Sequence, residues 1–227
     1  MDSASICGHQ MDTEFGFYLP EHKDVSPIMQ TNFVRILGRH GLLNLSKQNG
    51  QVYYDSIERE WRFEKVTRTT SNADVDSEKR ILRNALLGES GQIILDDDPD
   101  YYYEAFITSI DVSCENNGKI VAVVKAMTDP FKYKVELTEY SHEVNQLGWV
   151  VGIINNGKMP SLVTITNDFD VTIEYSIDGV AYTSTFEPGT HALNAIVMLP
   201  HGRTTFSIHG VEGATGNITI SFREGYL

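Results

Sequence analysis

Apolar and polar residues alternate along most of this chain in short runs closed by Gly, Asn or Asp, the pattern of β-strands with one buried face. In the clearest case Val171, Ile173, Tyr175 and Ile177 lead to Asp178-Gly179, and Val180, Tyr182, Ser184 and Phe186 lead back. A two-residue turn pairs Ile177 with Val180, Tyr175 with Tyr182 and Val171 with Phe186, all on one face. That face needs a second sheet over it, for which Leu162–Ile165, Thr205–Ile208 and Ile218–Phe222 are the candidates. The region reads as an antiparallel sandwich of roughly six to eight strands. A second hairpin runs from Val112 and Cys114 through Asn116-Asn117-Gly118 to Ile120–Val124. With Asn117-Gly118 as a two-residue turn, Cys114 faces Val121 and Val112 faces Val123, which makes Cys114 a small core residue.

One stretch has a different period. Ile81, Leu82, Ala85 and Leu86 recur at helical spacing and predict a helix over residues 77–87, ended by Gly88. Asp74, Asp76 and Ser77 are alternative caps for its start. Asp129-Pro130-Phe131 closes the last strand of the first half, and the polar stretch from Glu136 to Gln146 precedes the apolar run Trp149–Ile154. The domain boundary is placed between Lys134 and Ser141, giving domains 1–136 and 137–227. Trp61 and Trp149 are assigned one to each core.

Charge narrows the partners. The net charge is −13, and residues 137–227 hold nine acids against three bases, Lys158, Arg203 and Arg223. Nucleic-acid binding depends on clustered cations, so the second domain is no DNA- or RNA-binding surface. Acidity serves solubility or, alternatively, a surface past which DNA slides. Two cysteines, Cys7 and Cys114, exclude a disulfide framework. The first residues lack the charged and apolar regions of a signal peptide, and no apolar run reaches the ~18 residues of a membrane span. Folding in a cytoplasm without membrane insertion is the expectation.

The polar clusters offer little chemistry. The run Asp96-Asp97-Asp98-Pro99-Asp100 offers hard oxygen ligands, but neighbours in an extended chain point to opposite sides and EF-hand spacing is missing. A loop between two strands is the simpler reading. His9, His22, His40, His142, His191, His201 and His209 are scattered outside any zinc or hydrolase pattern. No phosphate-binding loop, dinucleotide fingerprint or nucleophile elbow occurs. Tyr101-Tyr102-Tyr103 is either a stacking platform or core and interface packing, since at most two of the three share a face. The sequence therefore carries no catalytic, cofactor-binding or metal residues to name, and an enzyme is not expected.

Three ordered stretches resemble the distal tail (Dit) family of long-tailed, non-contractile phages. The first is Gly16-Phe17-Tyr18-Leu19-Pro20 followed by residues 34–45, similar to the family's G-R-D-G-x-L-D-L run with His40 and Asn44 in place of two Asp. The second is Ile93–Tyr103, similar to D-D-D-P-x-Y-Y-Y. The third is Ala126–Tyr133, similar to A-D-P-[YF]-K. A weaker match continues through Asn155-Asn156-Gly157, Leu199–Gly202 and Gly225-Tyr226-Leu227. The resemblance implies a mainly β chain. Its first domain would be a β-barrel or sandwich with one helix, closing a homohexameric ring, and its second a galectin-like sandwich projecting outward. It further implies a virion component at the phage tail tip, assembled in the bacterial host cytoplasm. Such a ring joins the tail tube to a fibre or lysin protein, in some phages also anchors receptor-binding proteins, and lets genomic DNA pass through its lumen. Residues 137–227 leave no room for a long arm insertion or a carbohydrate-binding insert, which argues against receptor-protein anchoring here. Candidate ring contacts are strand edges around Val52-Tyr53-Tyr54 and Phe106-Ile107-Thr108, with Trp61 or the tyrosines as anchors. Two rival readings are a lectin-like module for host wall sugars, which needs an exposed aromatic with polar neighbours, and a hydrolase whose carboxylate pair meets only in the fold.

Overall fold

The computed structural model describes residues 2–22, 25–35, 42–44, 46–48, 51–66, 71–115, 118–177, 179–194 and 198–227. Residues 36–41 with His40, Leu45, Asn116-Asn117 and Asp178, all named above, lie outside the described residues. Contacts divide the chain into two compact units, Met1–Lys132 with Leu227, and Tyr133–Tyr226.

The first unit opens with β1 (Ala4–Ile6), β2 (His9–Gln10) and β3 (Tyr18–His22). Two small hairpins follow, β4 (Phe33–Arg35) with β5 (Leu42–Asn44), and β6 (Lys47–Gln48) with β7 (Gln51–Val52). Then come β8 (Ile57–Val66), α1 (Asn72–Leu86), β9 (Ser90–Leu95), β10 (Tyr101–Cys114) and β11 (Lys119–Thr128). The long strands form one antiparallel sheet in the order β2-β1-β9-β10-β11-β8-β3. Strict alternation along β8 sends Ile57, Arg59, Trp61 and Phe63 inward and Glu58, Glu60 and Arg62 outward. The helix lays Leu82 and Leu86 on the inner face, so Trp61, Phe63, Ile107, Ile110 and Val124 share one core with it. Arg59 tolerates burial because its guanidinium lies 4.4 Å from the Tyr103 ring centre and its Nε donates to the Thr128 hydroxyl at 3.3 Å.

The helix starts earlier than its apolar period predicts. Ser71 is the cap: its hydroxyl accepts from the Asp74 amide at 3.3 Å, and the Asp74 carboxylate accepts from the Ser71 amide at 2.9 Å. Hydrogen bonds from the Ser71 amide and hydroxyl hold the Asp74 carboxyl below its ordinary range. The first turn faces solvent, so it lacks the periodic apolar residues that betray the rest. Gly88, at φ +83°, follows the end of the helix as expected.

The hairpin between β10 and β11 is also shifted. Cys114 faces Ile120 and Val112 faces Ala122, one residue from the pairing a two-residue turn would give. The amide of Glu115 donates to the Lys119 carbonyl at 2.8 Å, so the loop holds three residues, with Gly118 in the left-handed conformation at φ +78°. Cys114 ends the strand exposed, not in the core.

The second unit begins within β12 (Lys132–Lys134) and contains β13 (Thr138–Val144), β14 (Trp149–Asn155), β15 (Val163–Asn167), β16 (Val171–Ile177), β17 (Val180–Phe186) and β18 (Gly189–Ala192). It ends with β19 (Gly202–Gly210), β20 (Gly216–Phe222) and β21 (Gly225–Tyr226). Two four-stranded antiparallel sheets, β13-β20-β15-β18 and β14-β19-β16-β17, enclose Ile165, Ile173, Phe206, Ile208, Ile220 and Phe222. The β16–β17 register is the one the alternation predicts, with Ile177 on Val180, Tyr175 on Tyr182 and Val171 on Phe186. The strand holding Thr205–Ile208 pairs beside β16 in the same sheet and is not part of the covering sheet. Alternation assigns a face to a strand but no neighbour, and β15 and β20 supply the cover. The expected fold class holds: mainly β, one helix, and a sandwich in the second half.

Phe206 and Leu82 are fully buried, one in each core. Phe206→Ala is expected to cost about 3–5 kcal/mol and Leu82→Ala about 2–5 kcal/mol, measured by urea unfolding of each variant.

Candidate assembly surfaces

The face of the first sheet opposite the helix is built from outward positions of β8, β10 and β11. Phe106 lies directly across from Met127, and Met127 across from Glu58. The next positions carry an ion-pair ladder. Lys125 Nζ is 3.3 Å from Glu60, Arg62 is 2.5 Å from Glu115 and 3.4 Å from Glu64, and Lys119 is 2.6 Å from Glu64. Val121, on the same face, is buried among these residues, as expected where long charged side chains lay their stems over an apolar neighbour. Phe106 and Met127 are 48% and 41% exposed.

This corrects the picture of Phe106–Thr108 as a strand edge. The segment lies inside β10, which pairs with β9 on one side and β11 on the other, so it offers a face and no free backbone. Ile107 points into the core. Trp61 is buried beside Tyr103, with ring centres 6.2 Å apart, and is no exposed anchor. Of the tyrosines, Tyr102 is buried, Tyr103 carries Arg59, and Tyr101 lies under Lys132 at 4.7 Å. Tyr53 is exposed and Val52 and Tyr54 are half-buried, with Tyr54 set edge-on to Phe131 at 5.7 Å.

The acidic run is a turn joining β9 to β10, and its carboxylates diverge. Asp96 accepts from the Ser3 amide at 2.9 Å, Asp97 lies 3.6 Å from His22, and Asp98 accepts from Lys132 at 2.6 Å. Burial pushes the Lys132 ammonium down, but the Asp98 bond outweighs it and the pKa is raised. No group of three potential metal ligands converges among the described residues. The histidines are equally dispersed: His9 bonds Glu14 at 2.8 Å, His191 the Glu187 carbonyl at 2.8 Å, His201 the Gly157 carbonyl at 3.0 Å and His209 the Ser207 hydroxyl at 2.8 Å. The Cys7 thiol is raised by burial and by Glu89 and Glu104, the reverse of activation. A cavity of about 310 Å³ beside β3, lined by Tyr18, Leu19, Pro20 and Val66, takes its lysine from the Lys119–Glu64 pair.

In the second unit the aromatics of the β16–β17 hairpin are engaged. Tyr175 is stacked between Tyr182 at 5.2 Å and Phe206 at 5.3 Å, and Phe186 stacks on His191 at 5.2 Å. Trp149 lies against the core and carries His142 on its ring at 4.7 Å. The outer faces present hydroxyls: Ser141 with Thr219 at 2.8 Å, Thr166 with Thr190 and Thr172 with Thr185 at 3.1 Å. None of these is an exposed ring flanked by polar groups, which the lectin-like reading requires.

A buried polar knot was missed in the sequence: Asn155–Gly157, Leu199–Gly202 and Gly225-Tyr226 were singled out, but Ser161 and Glu224 were not. Asn155 donates to the carbonyls of Met159 at 3.0 Å and Leu199 at 3.2 Å and accepts from the Gly157 amide at 3.0 Å. The buried Glu224 carboxylate accepts from the Asn156 amide and side chain, both at 3.1 Å, and from the Tyr226 hydroxyl at 2.6 Å. A Cβ on Gly157 would sit 2.7 Å from the Gly225 backbone, so only glycine fits there. Ser161 donates to the Arg223 carbonyl at 2.6 Å, and Arg223 donates to the carbonyls of Lys134 and Val135. Asn155–Gly157, Leu199–Gly202 and Gly225-Tyr226 thus converge on one fold-holding network.

No family model matches the chain, and no curated protein matches it in sequence. Among solved structures it is similar to the Dit protein (gp 19.1) of phage SPP1, described as a paradigm of the hub adsorption apparatus in phages infecting Gram-positive hosts. The likeness covers 100% of both chains at a TM-score of 0.69 and 15% identity. The chain has the fold of a phage distal tail protein. The phage P2 baseplate in its activated conformation also matches, with a TM-score of 0.44, 9% identity and coverage of 97% of this chain and 98% of that one. The Dit-like fold spans both units, so the second, too, has its counterpart within one hub protein.

The knot makes stability depend on acid. Burial raises the Glu224 carboxyl, but the Tyr226 and Asn156 hydrogen bonds outweigh it and hold its pKa below the ordinary value. A depressed carboxylate stabilises fully above its unfolded pKa and loses that contribution as pH falls through the folded value. Unfolding by urea at pH 7 and pH 3 is expected to show this loss, and Glu224→Gln to reduce it. Glu224→Ala, which strands the Asn156 donors, is expected to cost about 2 kcal/mol at pH 7.

Proposed function

We propose that this chain is a structural hub of a phage tail tip, a distal tail protein. One observation carries the reading: the whole chain follows the fold of a hub protein of a phage adsorption apparatus, end to end. In this reading six copies close a ring through residues 1–136, and the tail tube sits on one side and a fibre or lysin protein on the other. Residues 137–227 form a galectin-like sandwich that projects outward and makes the peripheral contacts. The site is the virion tail tip, reached after folding in the host cytoplasm.

The chemistry of the surfaces supports a passive part. Among the described residues, the acidic run, the tyrosine run and most of the histidines are spent on hydrogen bonds, ion pairs and packing, and they do not converge on a reacting centre. An excess of acids over bases in both halves suits a lumen through which DNA phosphates slide without adhering. A sheet with one open face suits a protein that completes its burial with other copies.

Native mass spectrometry of the full chain tests the proposal. The expected species has six times the 25.5 kDa chain mass, either alone or once tail tube protein is added. A monomer at every concentration, with and without that partner, would overturn it.

A further inference from the structure

Of the edge strands of the second unit's two sheets, one is bare. β13, at one edge of its sheet, carries Glu139 and Glu143, and β18, at the other, has four residues. At the edge formed by β14, the Ile154 amide donates to the Tyr140 hydroxyl at 3.4 Å. β17 has none of these protections. Its seven residues, Val180–Phe186, include no charge and no proline, and their register with β16 runs unbroken from Ile177–Val180 to Val171–Phe186. Among the described residues its backbone bonds to β16 alone. Antiparallel pairing alternates between bonded pairs and closer, non-bonded ones. The Thr172 and Thr185 hydroxyls lie 3.1 Å apart, as across a non-bonded pair, so Ala181, Thr183 and Thr185 turn amide and carbonyl away from β16. A long, flat, uncharged edge is a template for a further strand, and natural sheets blunt such edges.

The side chains along this edge define what fits beside it. Tyr182 and Phe186 pack against the core but stay half-buried. A strand added in register would set every second side chain next to them. Its other side chains would lie on the outer face, beside Thr183 and Thr185. Glu174 stands directly across from Thr183, and Glu187 follows the end of β17. Both are exposed, and neither carboxylate is in an ion pair among the described residues. None of the three bases of residues 137–227 lies on β16 or β17. From an added strand to β16 is two strand spacings, about 9.5 Å. A long basic side chain lying over the small Thr183 spans that gap to meet Glu174. A second β17 is the wrong occupant: residues 171–187 hold Glu174, Asp178 and Glu187 and no Lys or Arg, so self-pairing brings like charges together.

We propose that β17 is a docking edge for an extended segment of a partner protein in which apolar residues alternate with Lys or Arg. The segment pairs its backbone with Ala181, Thr183 and Thr185, covers Tyr182 and Phe186 with its apolar side, and offers its cations to Glu174 and Glu187. Backbone bonds supply affinity in this mode, and the alternating side chains supply selectivity. The contact lies wholly within the second unit and does not depend on the ring.

Hydrogen–deuterium exchange and binding titrations of the full chain test the edge with three short synthetic peptides. One alternates Val and Lys, the second is the same peptide with its alternate amides N-methylated, and the third alternates Val and Glu. The Val–Lys peptide is expected to slow exchange across residues 180–186, and the other two to bind at least about tenfold more weakly. Thr183→Pro, which removes an outward amide where proline is tolerated, is expected to abolish the protection. Glu174→Lys with Glu187→Lys changes only exposed side chains and is expected to turn the preference toward the Val–Glu peptide. Equal binding of the methylated peptide, protection at another strand, or no binding of any peptide would overturn the proposal. Protection of residues 180–186 that grows with protein concentration in the absence of peptide would make a second copy the occupant and overturn it as well. The native mass of the chain reads the ring separately, so either proposal can fail while the other stands.

Discussion

The main sheet of the first unit has two faces, and among the described residues this unit has one helix with which to cover them. Most of its architecture follows from that shortage. α1 closes one face over Trp61, Phe63 and Val124. The other is left to a ladder of ion pairs, beside which Val121 is buried and Phe106 and Met127 stand exposed. Exposed ion pairs contribute little to stability. Their use here is to keep a broad β-surface hydrated without making it sticky.

The second unit meets the same problem differently. Its two sheets cover each other, so the outer faces need only remain polar, and hydroxyl pairs across neighbouring strands do that without charge. A knot of Asn155, Asn156, Ser161, Arg223 and Glu224 ties distant segments of this unit together by hydrogen bonds. These groups are satisfied together, and removing any one strands its partners in a poorly hydrated site.

How much was legible depended on which physical signal each element carried. The β16–β17 hairpin was read to the residue because Gly179 follows a strict alternation that admits one register. The β10–β11 hairpin slipped by one because Asn-Gly also suits a loop one residue longer. The start of α1 was hidden because a solvated first turn has no apolar period, and the Ser71–Asp74 box was the signal that would have found it. Phe106–Thr108 was read as a strand edge, because composition cannot tell a sheet face from a sheet edge. The C-terminal motif residues were singled out as a pattern only. Their role needed three segments far apart in sequence to meet at Asn155 and Glu224.

The edges of the first sheet bear on how it meets other chains. β2 has only two residues, and β3 carries Pro20 and a register break between Tyr18 and Glu21. Short, interrupted edges make poor templates for stray strands. Interior strands such as β10 lend no backbone to a newcomer. The first sheet therefore offers neighbouring chains little backbone to zip onto, and any contact it makes has to rest on side-chain fit.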